Sequence, residues 1–136
     1  MSSGGDGSDR AGQATPGPVA DPGGAALQAH RELHGSVVAV TLTGELDMST
    51  LAQAEREVST AEAATAAVLL VDLSGLDFVD SSGVRLVLEA DARARTDGRR
   101  LVVALGGGLP RRLFEVLGLM SRLDIVDSRD DILPLR

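Results

Sequence analysis

Apolar residues follow two rhythms along this chain. Val37 to Thr43 reads Val-Val-Ala-Val-Thr-Leu-Thr, a β-branched run suited to a pleated strand. Before it, from Ala25 to Leu33, the pattern alternates weakly through Leu27, Ala29, Arg31 and Leu33, and His34-Gly35 punctuates the two runs. Together they predict a hairpin. Gly44-Glu45-Leu46-Asp47 reads as the end of the second strand. Leu51, Ala54, Val58 and Ala61 then recur at helical spacing. Thr50 with Gln53 offers a capping box for that helix, and Asp47 is a rival cap.

Val68 to Leu73 and Leu101 to Leu105 are nearly continuous in apolar residues, as expected of parallel strands covered on both faces. Between them, Val84, Val87 and Leu88 predict a helix that ends near Asp97-Gly98. Pro110 suits the first turn of a further helix carrying Leu113, Phe114 and Leu117, which Gly118 stops. Leu123 to Val126 reads as a short strand. Ser128 and Asp131 suggest a last capped turn, limited by Pro134. The order β-β-α-β-α-β-α-β predicts one α/β domain, a mixed sheet of about four to five strands with helices packed on it.

Composition adjusts this picture at the N-terminus. Residues 1–24 hold seven of the sixteen glycines and three of the five prolines, with almost no large apolar side chains. Such a segment cannot offset its ordering entropy by burial. It is expected to be a disordered tail, leaving residues 25–136 as the domain. Leu and Val must dominate the core, since the only aromatic residues are Phe78 and Phe114. The net charge of −7 argues against direct nucleic-acid binding, which favours a basic surface. It suits a soluble acidic protein with a basic partner. Cysteine is absent, which removes disulfides, thiolate metal sites and cysteine nucleophiles. No signal pattern and no long apolar run is present, so a cytoplasmic protein without membrane contact is expected.

The most informative stretch is Phe78-Val79-Asp80-Ser81-Ser82-Gly83-Val84, between a buried strand and a helix start. Taken alone, Asp80-Ser81-Ser82-Gly83 reads as a helix cap, because Asp and Ser accept hydrogen bonds from the unpaired amides there. The same place favours an anion, since amides and dipole both point at it. A phosphate on Ser81 would add roughly −1.5 to −2 charges beside Asp80. A binding penalty of about 3 kcal/mol would weaken an interface more than a hundredfold.

These residues sit within a larger ordered pattern. Leu42-Thr43-Gly44-Glu45-Leu46-Asp47, Val71-Asp72-Leu73-Ser74-Gly75-Leu76, Val79-Asp80-Ser81-Ser82-Gly83 and Arg112-Leu113-Phe114-Glu115-Val116-Leu117-Gly118-Leu119 follow one another at set spacing. In this the chain resembles the STAS-domain anti-sigma-factor antagonists of bacterial sporulation and stress signalling, over roughly Val37 to Val126. The resemblance implies a STAS fold and a non-enzymatic regulator. It implies that Ser81 is phosphorylated by a partner that is both anti-sigma factor and serine kinase. The unphosphorylated protein would bind that kinase and free a sigma factor, and a serine phosphatase would reverse the modification. Asp47 matches a family aspartate near the phosphorylation site, and it also fits a simple cap for the first helix. Asp80 precedes the switch serine, and Ser82 and Gly83 match positions that shape the helix start. All are expected to contribute to partner binding.

This chain departs from the family pattern at two places. Val84 is followed by Arg85 where the family often has a small residue. Arg85 lies four residues past Ser81, where it could pair with a phosphate or with an acidic patch on a partner. It also fits an exposed arginine beside Glu89, worth only tenths of a kcal/mol. The C-terminus is short, with Pro134 set against the longer closing helix that the family often carries.

Other signals point elsewhere only weakly. His30 and His34 fall on one face of a strand about 13 Å apart, and His30-Arg31-Glu32-Leu33-His34 lacks the order of a zinc protease motif, so no metal site is expected. Gly106-Gly107-Gly108 lacks the following lysine and hydroxyl residue of a P-loop and reads as a strand-to-helix turn. Ser81 is not in a nucleophile elbow, since Val79 stands where that motif requires glycine. Arg93, Arg95, Arg99 and Arg100 are diluted by Asp91 and Asp97 and read as a solvated helix end. No cofactor and no catalytic residue is expected. Two rival readings stand beside the switch. One is a constitutive scaffold in a larger signalling assembly, with the serines acting only as caps. The other is a small hydrolase or nucleotide-handling protein using Ser81 with Asp47 or Asp80, for which no general base beyond carboxylates is evident.

Overall fold

A computed structural model of the protein describes residues 26–133. The expected N-terminal tail and Pro134 lie outside the described residues. Strand β1 (Gln28–His34) and strand β2 (Val37–Leu46) form the hairpin, antiparallel with Leu33 opposite Val38 and Ala29 opposite Leu42. Helix α1 (Leu51–Glu62), strand β3 (Val68–Val79), helix α2 (Ser81–Thr96), strand β4 (Arg100–Ala104), helix α3 (Leu109–Val116) and strand β5 (Asp124–Val126) follow. The sheet has the order β1-β2-β3-β4-β5, and every pairing after the hairpin is parallel. The fold is α/β with the expected element order.

Both faces of the central strands are buried, in keeping with their continuous apolar runs. Val40, Leu42, Leu69, Val71, Leu73, Leu101 and Val103 share one cluster with Ala54, Val58 and Ala61 of α1, Val84, Val87 and Ala90 of α2, and Phe114 of α3. Ala39, Leu70, Val102 and Ala104 form a second cluster on the other face with Leu133, and Ile132 packs against it. The residues leading into Leu133 make one 3₁₀ turn, Arg129–Asp131, closed by a reciprocal capping box between Ser128 and Asp131. No longer closing helix is present among the described residues. None of the described helices is long and apolar enough to cross a membrane.

Two strands run further than their local sequence suggests. Gly44 does not break β2, which runs on to Leu46, and β3 runs past Leu73 to Val79. Past Thr41 the two strands stay paired, Thr43 with Gly75, Gly44 with Leu76, Glu45 with Phe78 and Leu46 with Val79, across two irregularities in register. Gly44 has φ +96°, and a Cβ there would lie 2.0 Å from the Ala26 carbonyl oxygen. The glycine that looks like a strand breaker is what lets β2 bulge and continue.

The histidines of β1 flank a single carboxylate. His30, Glu32 and His34 lie opposite Thr41, Ala39 and Val37 on one face. His30 Nε2 is 3.0 Å from Glu32 Oε2, and His34 Nε2 is 2.9 Å from Glu32 Oε1. Arg129 donates to Glu32 and, at 2.8 Å, to Thr41 Oγ1. The Glu32 carboxyl is held down at about 2, chiefly by the hydrogen bonds from His34 and His30, with the Arg129 charge adding to them. The network ties the C-terminal turn to the edge strand at the open end of the second cluster.

Candidate functional site

The ends of β2 and β3 meet the start of α2 at one rim of the sheet, the end where parallel α/β sheets carry their sites. Leu46 and Val79 are register partners, and the Asp80 amide donates to the Leu46 carbonyl at 3.2 Å. The chain then turns directly into α2. Asp80 is the N-cap, in extended conformation, and its Oδ1 accepts from the Ser82 amide at 2.9 Å and the Ser82 hydroxyl. Its own carbonyl accepts from the Gly83 and Val84 amides. Capping is therefore the work of Asp80, braced by Ser82.

Ser81 is the first helical residue and is exposed. Among the described residues its hydroxyl has no hydrogen-bond partner. Ser81, Asp80, Ser82 and Arg85 line a depression of about 190 Å³ together with Met48 and Leu51. Arg85 is exposed, one helical turn from Ser81, and makes no ion pair with any described residue; Glu89 is not its partner.

Gly83 is buried in the first turn of α2. A Cβ at Gly83 would lie 2.7 Å from Val79 Cγ2, 2.8 Å from Leu46 Cδ2 and 2.9 Å from Leu46 Cγ. Its missing side chain lets the first turn of α2 press onto the ends of β2 and β3. Gly83 positions Ser81 from beneath.

Asp47 lies one residue beyond Leu46 and does not line the depression. Its Oδ1 accepts from the Ser49 amide at 2.9 Å, the Ser49 hydroxyl at 2.6 Å and the Thr50 amide at 3.3 Å. The Ser49 hydroxyl bond is the leading cause that lowers its pKa below the usual aspartate value. The expected Thr50–Gln53 capping box does not form. Thr50 is the N-cap of α1 but makes no side-chain cap bond. Its hydroxyl donates to the Glu45 carbonyl at 2.9 Å and accepts from the Asp47 amide at 3.0 Å, while Gln53 reaches the Leu27 carbonyl at 3.0 Å. Both side chains tie α1 to the hairpin instead.

Two features escaped the sequence reading. Met48, 79% exposed, stands in the same depression as Ser81. The rim also repeats one device. Asp47 with Ser49, Asp72 with Ser74 and Asp80 with Ser82 each place an aspartate oxygen on the amide and hydroxyl of the serine two residues on. The Asp-x-Ser spacing was visible in the sequence and is the signal that could have found it. Among the described residues no group of three or more His, Cys, Asp and Glu could hold a metal ion.

Comparison with known proteins gives a consistent answer. A family model described as "Mlab, STAS domain" matches residues 29–127. The anti-sigma-F factor antagonist RsfB of Mycobacterium tuberculosis is 26% identical over 100 residues, covering 74% of this chain and 81% of that protein. An anti-sigma factor antagonist from Mycobacterium paratuberculosis shares the fold, with a TM-score of 0.72 at 24% identity over 78% of this chain and 90% of that one. The Bacillus cell fate determinant SpoIIAA in its phosphorylated form is 26% identical, with a TM-score of 0.58, covering 79% of this chain and 96% of that one. The chain belongs to the STAS domain family, the family to which the ordered segments around Ser81 pointed.

Proposed function

We propose that this protein is an anti-sigma-factor antagonist whose hold on its partner is switched by phosphorylation of Ser81. The observation that supports this best is the spare hydroxyl. Asp80 and Ser82 complete the helix cap between them, so Ser81 is not needed there and stands exposed at the start of α2. That weighs against the reading in which these serines serve only as caps. The names of RsfB and SpoIIAA as antagonists, and the phosphorylated form of SpoIIAA, support the same role.

The partner in this reading is an anti-sigma factor that is also a serine kinase. It transfers the terminal phosphoryl group of a nucleoside triphosphate to Ser81 Oγ. The O–P bond forms as the bond to the leaving diphosphate breaks, and the hydroxyl proton passes to a base of the kinase or to water. Unmodified, the rim around Ser81 is small and polar enough for close contact. Modified, it carries a dianion beside Asp80. A penalty of about 3 kcal/mol from repulsion and lost fit would release the partner more than a hundredfold. A serine phosphatase restores the binding form. Asp80, Ser82 and Arg85 line the contact, and Asp47 and Gly83 shape it from the side and beneath.

The test is a binding and phosphosite experiment with the cognate anti-sigma factor. Wild type is expected to gain one phosphate at Ser81, Ser81→Ala to gain none while still binding, and Ser81→Asp to lose binding. Phosphate mapped to another residue, or Ser81→Asp retained as well as wild type, would refute the switch.

A further inference from the structure

We infer that Arg85 is the internal counter-ion of phosphorylated Ser81: once the phosphate is attached, the guanidinium folds over the shared depression and holds it. This rests on Ser81 being the modified residue. Arg85 lies at i+4 from Ser81 within one helix, and both side chains line the same depression. An acidic group placed four residues before a basic one is the favourable order for a helical ion pair. Asp80 Oδ1 is committed to Ser82, and Glu89, four residues after Arg85, stands in the less favourable order and is unpaired with it. Among the described residues Arg85 has no carboxylate partner, as is also true of Arg56, Arg99, Arg112 and Arg122, but of these five only Arg85 lines the depression beside Ser81. A phosphate on Ser81 Oγ supplies the acceptor, with three oxygens that match the planar fork of a guanidinium. Met48 and Leu51 form the apolar part of the lining.

The consequence is a two-state arginine. Before modification it is free to meet an acidic group of a partner. After modification it is withdrawn into an internal pair, so the interface loses a cation in the same step that gains an anion. Phosphorylation then alters the surface at two positions, and the phosphate is partly shielded.

The experiment uses the full chain with phosphoserine installed at position 81 during synthesis, so that no kinase enters the measurement. The second ionisation of the phosphate is followed by ³¹P NMR against pH in wild type, Arg85→Gln, Arg85→Lys and Arg112→Gln. Arg112 is exposed and has no ion pair among the described residues, so it serves as the charge-matched control. Arg85→Gln is expected to raise the phosphate pKa by about 0.3–0.7 unit, a two- to fivefold change in proton affinity, with Arg85→Lys between it and wild type. The wild-type difference is expected to collapse in 1 M salt. Superimposable curves for wild type and Arg85→Gln would overturn the proposal, and so would an equal rise in Arg112→Gln. A kinase that modifies a different residue would refute the switch reading while leaving this measurement readable, so the two failures are distinct.

Discussion

Replacing Gly83 by alanine sets two effects against each other. Alanine is the better helix former, by at most about 1 kcal/mol and less in a first turn. Against this, the new Cβ would lie 2.7–2.9 Å from Val79 Cγ2, Leu46 Cδ2 and Leu46 Cγ. Ordinary carbon contacts are about 3.5–4.0 Å, so the shortfall is about 0.6–1.3 Å at three atoms. Neither neighbour can retreat easily. Leu46 is fully buried and Val79 nearly so, and the two are register partners in the sheet. Overpacking of this kind costs about 1–3 kcal/mol. The net expectation is a loss of about 1–2 kcal/mol, or about 5–10 °C in Tm for a domain of this size.

Urea unfolding followed by circular dichroism measures this, with the midpoint falling and the slope unchanged. Gly107→Ala provides the control, since a Cβ there meets nothing within 4 Å and its φ is not in the left-handed region. It is expected to change stability by less than about 0.5 kcal/mol. If Gly83→Ala is as stable as wild type, the first turn of α2 does not press on Leu46 and Val79 as described, and the account of how Ser81 is positioned fails.

Three further outcomes are expected. Asp80→Ala should cost about 1 kcal/mol of stability in urea unfolding, and Asp80→Asn only tenths, because asparagine keeps the capping oxygen. Glu32→Gln should destabilise by about 1 kcal/mol at neutral pH, after allowing for a side chain one-third open to solvent; because folding depresses the Glu32 carboxyl from 4.5 to about 2, the difference from wild type should be full above pH 4.5 and fade as pH falls toward 2. Ser81→Asp should melt at or slightly above the wild-type temperature, since a negative charge at a helix start stabilises by about 0.3–1 kcal/mol; a clear drop in Tm would mean that the Ser81 hydroxyl holds the fold together after all.

The element order was legible because the signals for it are local. Alternation marked the hairpin, and continuous apolar runs marked β3 and β4. Pro110 placed the start of α3, while Asp97-Gly98 and Gly118 placed two helix ends. What was illegible depends on partners distant in sequence. Nothing within Gly44-Glu45-Leu46 announces that β3 will stay paired with it as far as Val79. Thr50 and Gln53 have the spacing of a capping box, but Glu45 and Leu27 compete for them and win. Glu32 meets Arg129 across 97 residues, which no periodicity encodes. The motif around Ser81 was readable as a motif; the division of labour inside it was not. That Gly83 is buried, and that Met48 shares the depression, follow only from how α2 lands on the sheet.

The three Asp-x-Ser units along the rim show how one local device yields different outcomes. In each, the aspartate binds the serine two residues later, and the middle residue is left out of the bonding. The middle residue of Asp72-Leu73-Ser74 lies inside β3, where the core cluster shared with the helices buries Leu73 completely. The middle residues of Asp47-Met48-Ser49 and Asp80-Ser81-Ser82 lie just past the strand ends, so Met48 and Ser81 emerge into one depression. The local bonds fix the backbone, and the sheet decides which middle residue reaches solvent. Ser81 is thus held firmly by neighbours whose bonds do not involve its own hydroxyl. A group attached there changes the surface without disturbing the cap beneath it, so binding can be altered while stability is kept. A serine that capped its own helix would couple the two, and modifying it would loosen the element that displays it.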